Sequence, residues 1–215
     1  LVHDYIDSYE NPRRAWSYSP ATRRVRRAPD ITYDTLVNAS PLIVVDQYGT
    51  FNGAQDKYNW ELRGTKKMIV PGVSNELGTN PLEATHGVGH LNADYIHYEE
   101  KEVAIVHATL KEGQRHLYAS RTFYITTDAY YIVAQDIYDG QGNLMRNAAN
   151  TLATNIDGLG GDCSINGEFT FDFATRQYAG NNLLGNAINS QPALYNGPSK
   201  DVSFYTPDGL RRYAR

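Results

Sequence analysis

A single cysteine, Cys163, stands in a chain of 215 residues. One thiol excludes an internal disulfide and any cysteine-rich zinc site, and it neither demands nor forbids an oxidising compartment. Long apolar runs are missing too. No stretch approaches the roughly 18 residues that a membrane-crossing helix needs, and no signal-peptide pattern is present. Helical periodicity is nearly absent. The net charge is −4, so the chain lacks the basic balance of a protein built to hold nucleic acid. Catalytic signatures are equally thin. There is no Gly-x-Ser-x-Gly elbow, and Cys163 in GLGGDCSING has no histidine beside it. The glycines there also lack the lysine and the strand–helix context of a phosphate loop.

What is present is alternation. A chain of this size, 41% apolar and 20% charged, supports one all-β domain with a core of its own. In YNWELRG, Tyr58, Trp60 and Leu62 share one face and Asn59, Glu61 and Arg63 the other. EVAIVHATL, RHLYASRTFYIT and AYYIVAQDIYD follow, separated by KEGQ and TTDA, and DGQGN turns the chain into LMRNAAN. Short Gly, Asp and Asn separators between such runs signal successive hairpins, hence an antiparallel meander. GEFTFDFAT sets Phe169, Phe171 and Phe173 on one face, and VSFYTPDGLRRYAR carries the Pro-Asp-Gly chemistry of a last hairpin. Three stretches break the pattern: DITYDTLVNASP reads as a short helix or irregular crossover, while PGVSNELGTNPLEATHGVGHLN and LLGNAINSQPALYNGPSK read as long loops.

Polar residues offer weaker leads. His86 and His90 are four apart, but two of the three residues between them are glycines, which argues against a metal-sharing helix. His107 and His116 flank the KEGQ turn and are expected to face each other across a hairpin as a cross-strand pair. Glu99, Glu100, Glu102, Asp136 and Asp139 read as charges on a solvated sheet face rather than as an acid/base pair. The aromatic inventory is richer, with 17 tyrosines against 6 phenylalanines. Tyr118, Phe123, Tyr124, Tyr130, Tyr131, Tyr138, Phe169, Phe171 and Phe173 fall on successive strands, as core or as the wall of an apolar pocket.

Between Arg13 and Arg27 there are six arginines and no acid, so that segment is +6 and the remainder −10. AWSYSPATRRVRR reads as a hairpin, with AWSY as one strand, SPAT as the turn and RRVRR as the return. Arg24 and Arg26 share one face, and Arg23, Val25 and Arg27 the other. Their guanidinium groups are expected over Trp16 and Tyr18, paired with acids of DQYGTF and NGAQDKYNWE, or forming a charged rim that meets anionic head groups.

The elements W-x-Y-x-P-x-x-R-R-V-R-R-x-P, DQYGTFNGAQDKYNWELRGTKKMIVP, YEEKEVAIVHATLKEGQRHLYASRTFYI and YDGQGNLMR cover about Arg13 to Arg146. In order and spacing the chain resembles a proteobacterial family of exported proteins related to the outer-membrane lipoprotein-sorting carriers LolA and LolB. It has YEEKEVAIVHA where that family's strand is richer in aromatics, and GVSNE where a Tyr-Asn pair is usual. The resemblance implies a mainly β fold: a large, curved antiparallel sheet, or unclosed β-barrel, with few short helices. It implies one β-rich domain, 1–215, that is the C-terminal part of a longer chain. It also implies a periplasmic location, a hydrophobic ligand such as an acyl chain or lipid, an envelope transporter or outer-membrane protein as partner, no cofactor and no catalytic residues.

On that footing the expected function is a non-enzymatic carrier or chaperone that buries a lipid or lipid-modified partner against a concave apolar sheet face. The expected lining is Trp60, Leu62, Tyr118, Tyr124, Tyr131 and Phe171, with Arg23, Arg24, Arg26 and Arg27 as the charged rim. A non-catalytic docking module of an envelope transport assembly is the alternative, and a carboxylate- or histidine-centred hydrolase a distant third. An open sheet leaves edges unpaired, so a homodimer through those edges is expected as well.

Overall fold

The computed structural model describes residues 1–5, 10–28, 31–37, 40–154, 163–181 and 199–214. Two antiparallel sheets organise them. The smaller is ordered β1-β2-β3, from β1 (Val2–His3), β2 (Arg14–Ser19) and β3 (Arg24–Arg27). The arginine-rich stretch is thus the hairpin expected: Trp16 stands opposite Arg27, Ser17 opposite Arg26, Tyr18 opposite Val25 and Ser19 opposite Arg24.

The larger sheet is a seven-stranded meander in the order β10-β9-β8-β7-β6-β5-β4. It runs through β4 (Tyr58–Pro71), β5 (Tyr98–Leu110), β6 (Ser120–Thr126), β7 (Ile132–Tyr138), β8 (Leu144–Thr154), β9 (Cys163–Asp172) and β10 (Gln177–Asn181). The alternating runs form these strands because each places β-branched and aromatic residues on a pleat that is buried on at least one side. The sheet does not close into a barrel. After β4 the chain crosses back over β5, β6 and β7 to β8: Leu152 N–H donates to the Gly72 carbonyl at 3.1 Å, and Ser74 N–H donates to the Leu152 carbonyl at 2.8 Å. That crossing curls one end of the sheet and brings Val70, Val103 and Val133 together, each at most 2% exposed, with Met68, Tyr124 and Tyr131 against them.

Each face carries its own cover. On the inner face of the curl lie the residues between β4 and β5, read from sequence as a long loop. They contain two short helices, α1 (Asn75–Thr79) and α2 (Leu82–Thr85), and a 3-10 turn at Ala93–Tyr95. Leu77 and Leu91 pack on Phe169, with Tyr95, Ile96, Phe171 and Tyr178 around them. On the outer face lies the segment Leu42–Phe51, with Val44 fully buried against Tyr118 and Ile137. The stretch before it, DITYDTLVNASP, is the irregular alternative of the two expected: its described residues hold turns and a bridge and no helix. The covering segment is tied to it by the bridge between Leu36 and Val44 and continues in a 3-10 turn at Val45–Gln47.

The last hairpin expected from Pro-Asp-Gly is a helix instead: α3 (Pro207–Tyr213), preceded by a 3-10 turn at Val202–Tyr205. The same residues cap a helix as readily as they turn a strand. Thr206 accepts the Gly209 N–H at 3.0 Å as N-cap, and Pro207 occupies the first turn, where its missing N–H costs nothing. The loop expected at LLGNAINSQPALYNGPSK lies, but for its last two residues, outside the described residues. Phe173 falls just beyond the end of β9 and is 51% exposed.

Candidate functional site

The outer face of the large sheet holds an unusual density of charge for a buried surface. Arg121, Gln135, Arg146, Asn150, Glu168, Thr170 and Asp172 are all at most 7% exposed. Strand pairing sets them on one face: Arg121 stands beside Ile137, Ile137 beside Arg146, and Arg146 beside Asp172. On β9, Glu168, Thr170 and Asp172 alternate with Phe169 and Phe171, which occupy the opposite face. The structure buries both faces, since the segment Leu42–Phe51 lies across the polar one.

That segment is held by hydrogen bonds rather than by apolar packing alone. Asp46 accepts from Arg121 at 2.6 Å and lies 3.1 Å from His116, and Arg121 also donates to the Tyr58 hydroxyl at 3.1 Å. Burial pushes the Asp46 pKa up, but the Arg121 guanidinium and His116 outweigh it and hold the carboxyl below its usual value. The Tyr118 hydroxyl donates to Gln47 at 3.0 Å and accepts from Arg146 at 3.0 Å; Arg146 also binds Asp172 at 2.9 Å and the Leu42 carbonyl at 2.9 Å. Gln47 donates to Thr170.

At the end of the segment the backbone is left-handed at two successive residues, Gly49 (φ 62°) and Thr50 (φ 73°). A β-branched residue is strained there. Two successive left-handed residues aim their N–H groups the same way, and Glu168 receives both, from Gly49 at 3.1 Å and Thr50 at 2.8 Å. Gln135 donates to the Thr50 carbonyl at 2.9 Å, and Asn150 donates to its hydroxyl. Burial drives the Glu168 pKa up to about 7, opposed by the two N–H donors.

Beyond Thr50 the covering segment stops and an apolar groove opens. Phe51, Gln55, Trp60, Phe123, Ile125 and Ile132 line a cavity of about 310 Å³. Phe51 stands edge-on to Trp60 and Phe123 with ring centroids 5.5 and 5.3 Å away, and Trp60 stacks on Phe123 at 5.8 Å. The Trp60 indole N–H donates to the Gln55 carbonyl at 2.8 Å, so the ring turns only apolar surface to the groove. Leu62 continues the same face, beside Val106, and is 70% exposed. A second cavity of about 550 Å³ lies against β10 and the chain around Leu42, with Arg176 and Tyr178 in its wall.

The six residues expected to line one pocket fall on both faces of the sheet. Trp60 and Leu62 belong to the groove and its continuation. Tyr118 is fully buried in the polar network beneath Val44. Tyr124 and Tyr131 lie on the inner face beside Val70 and Val103, where the Tyr124 hydroxyl donates to Asp136 at 2.8 Å. Phe171 lies on that inner face too, stacked on Tyr178 at 5.6 Å. Phe51, Ile125, Ile132 and Gln55 were not singled out from sequence. Phe51 carried a signal, as the aromatic after a Gly-Thr turn, that an isolated reading does not rank.

The histidine and arginine expectations need correction. His107 bonds Thr122 at 2.9 Å on the inner face, whereas His116 points to Asp46 on the outer one, so they do not pair. All four residues of the rim, Arg23, Arg24, Arg26 and Arg27, are exposed, and among the described residues none forms an ion pair. It is Arg13 that finds an acid, Asp4 at 2.7 Å, and it lies over Tyr33, while Arg14 lies over Tyr5. Trp16 packs against His3 instead of an arginine.

The class this defines is that of open antiparallel sheets, curled at one end and partly covered by short helices. A solved domain from Vibrio parahaemolyticus, named for outer membrane lipoprotein sorting, superposes on 94% of this chain and 67% of its own with a TM-score of 0.57 at 12% identity, a likeness of fold. The chain belongs to the DUF1329 family of proteins of unknown function, whose profile matches residues 1–211. An uncharacterised protein of Pseudomonas aeruginosa is 42% identical over 215 residues, 99% of this chain and 46% of that protein. The chain therefore spans about half the length of that relative. A DUF1329 protein of Desulfovibrio piger superposes on 84% of the chain and 62% of its own with a TM-score of 0.47 at 16% identity.

Proposed function

We propose that this domain is a non-enzymatic carrier of the bacterial envelope, working in the periplasm, that shelters an acyl chain in the groove between Phe51, Trp60 and Phe123. The single observation that carries the reading is the groove itself. It is open to solvent, walled by aromatic and β-branched side chains, and near the lower end of the size range of small-molecule pockets. Each CH₂ moved out of water there contributes about 0.8 kcal/mol, and Leu62 extends the apolar track beyond the cavity. The likeness of fold to a domain named for outer membrane lipoprotein sorting supports a hydrophobic ligand. The carboxylates of the outer face are occupied in holding the chain's own covering segment, which suits a scaffold better than a catalyst.

One observation favours a second reading. The covering segment fills most of the outer face with the protein's own polar groups, as a docking module of an envelope assembly would have it. Titration of delipidated protein with a fluorescent fatty acid separates the two. A carrier binds saturably and loses that binding in Trp60→Glu, a change at a side chain already 41% exposed. A docking module shows no saturable binding in either form.

A further inference from the structure

Charge in this molecule is sorted by sheet. Residues 1–5, 10–28 and 199–214, which build the small sheet and α3, carry nine lysines and arginines against four acids. The remaining described residues carry ten against sixteen. Within the basic unit Arg24 and Arg26 share one face of β3, and their direct neighbours on β2 are Ser19 and Ser17, too short to shield or neutralise a guanidinium. On the large sheet, by contrast, Lys67 pairs with Glu100, Lys101 with Asp128, Arg121 with Asp46 and Arg146 with Asp172. The hairpin arginines line neither of the two cavities.

Apolar and aromatic groups are exposed in the same unit. α3 packs on β3 and β2, and it and the 3-10 turn before it expose Val202 (80%), Tyr205 (52%) and Tyr213 (63%) next to the exposed Arg211 and Arg212. Edge strand β3 carries exposed arginines on both faces, Arg24 and Arg26 on one and Arg27 on the other; together with the exposed tyrosines of the same unit they match the two layers of an anionic bilayer surface, charge outside and an amphipathic interface just beneath.

We propose that the β2–β3 hairpin and α3 form a docking surface for anionic phospholipid. Arg24, Arg26 and their neighbours rest on the head groups, and the acidic large sheet turns away from the membrane. The orientation follows from the sorted charge, because a negative surface attracts one end of the molecule and repels the other. The surface is separate from the groove at Trp60 and stands whether or not that groove holds a lipid.

Co-sedimentation with phosphatidylcholine vesicles, with and without phosphatidylglycerol, tests this. The protein is expected to bind only the anionic vesicles and to release as salt rises. Arg24→Gln/Arg26→Gln is expected to weaken partition about thirty-fold, at roughly 1 kcal/mol per arginine. Arg24→Lys/Arg26→Lys is expected to retain most of it, because a lipid surface reads charge rather than guanidinium geometry. Lys66→Gln/Lys67→Gln, the same charge change on the large sheet, is expected to leave it unaltered. Equal binding to neutral vesicles, equal loss in the two Gln pairs, or loss in the lysine pair would overturn the proposal; the last outcome points to an acidic protein partner. Trp60→Glu retains vesicle binding, so failure of the carrier reading and failure of this one are told apart.

Discussion

Glu168 shows how much a single buried carboxyl organises. It faces away from the phenylalanines of its own strand and receives both N–H groups of a strained turn, so that Phe51, the next residue, is set over the groove. Its carboxyl has a reference value of 4.5 unfolded and about 7 folded. Between those values the folded chain binds more protons than the unfolded one, so this group's stabilisation is complete below about 4.5 and is lost as pH rises through 7. Asp46 and Asp172, both held low, act in the opposite sense: their stabilisation is present above 3.8 and is lost in stronger acid. Thermal unfolding at pH 5 and pH 8 is therefore expected to show the wild type weaker at the higher pH, while Glu168→Gln shows a flatter slope. Identical slopes would mean that Glu168 does not titrate in this window. No sequence signal separates Glu168 from a solvated strand residue. Period-2 alternation says which residues share a face, but whether a distant segment covers that face is a tertiary matter.

At the scale of elements, the strands and hairpins were legible because a pleat half buried against a core repeats every two residues. The meander from Tyr58 to Asn150 and the β2–β3 hairpin follow from that period and from their turn residues. The helical pieces were not legible. α1 and α2 have five and four residues, too few to show a 3.6-residue period, and Thr-Pro-Asp-Gly serves a turn and a helix start alike. α3 depends on a close approach at Gly209, where a Cβ would fall against the Ser203 and Phe204 carbonyl oxygens. Backbone cannot step aside as a side chain would. Gly209→Ala is therefore expected to loosen α3 from β2 and β3, seen as new protease cleavage around residues 205–213 and a lower melting temperature. Unchanged cleavage would show that the turn before α3 has room to move. The edge strand β4 is exposed on both faces from Asn59 to Lys67, broken by a bulge between Leu62 and Thr65, with Gly64 at φ 96°. Bulges and lysines blunt such edges. Pairing of two copies through β4, the homodimer suggested by an open sheet, predicts a dimer in sedimentation that Leu62→Lys dissolves. A monomer at every concentration rejects it.

For the whole molecule, the sequence carried the family and the open β architecture, and both hold. The candidate site was legible only in part. Trp60 reaches the groove and Leu62 its continuation because both sit on the outer face of an edge strand. Tyr118, Tyr124, Tyr131 and Phe171 are equally aromatic but are distributed over two faces by strand register and by the covering segment. The central claim is that an acyl chain lies against Trp60. The chain has two tryptophans, Trp16 and Trp60, so Trp16→Phe leaves Trp60 as the sole indole reporter. Titrating that variant with a bromine-labelled fatty acid, a contact quencher, reads the site directly. The account predicts saturable quenching of Trp60 at the same ligand concentrations that saturate binding. Saturable binding with Trp60 unquenched would place the ligand elsewhere, and no saturable binding would contradict the carrier altogether.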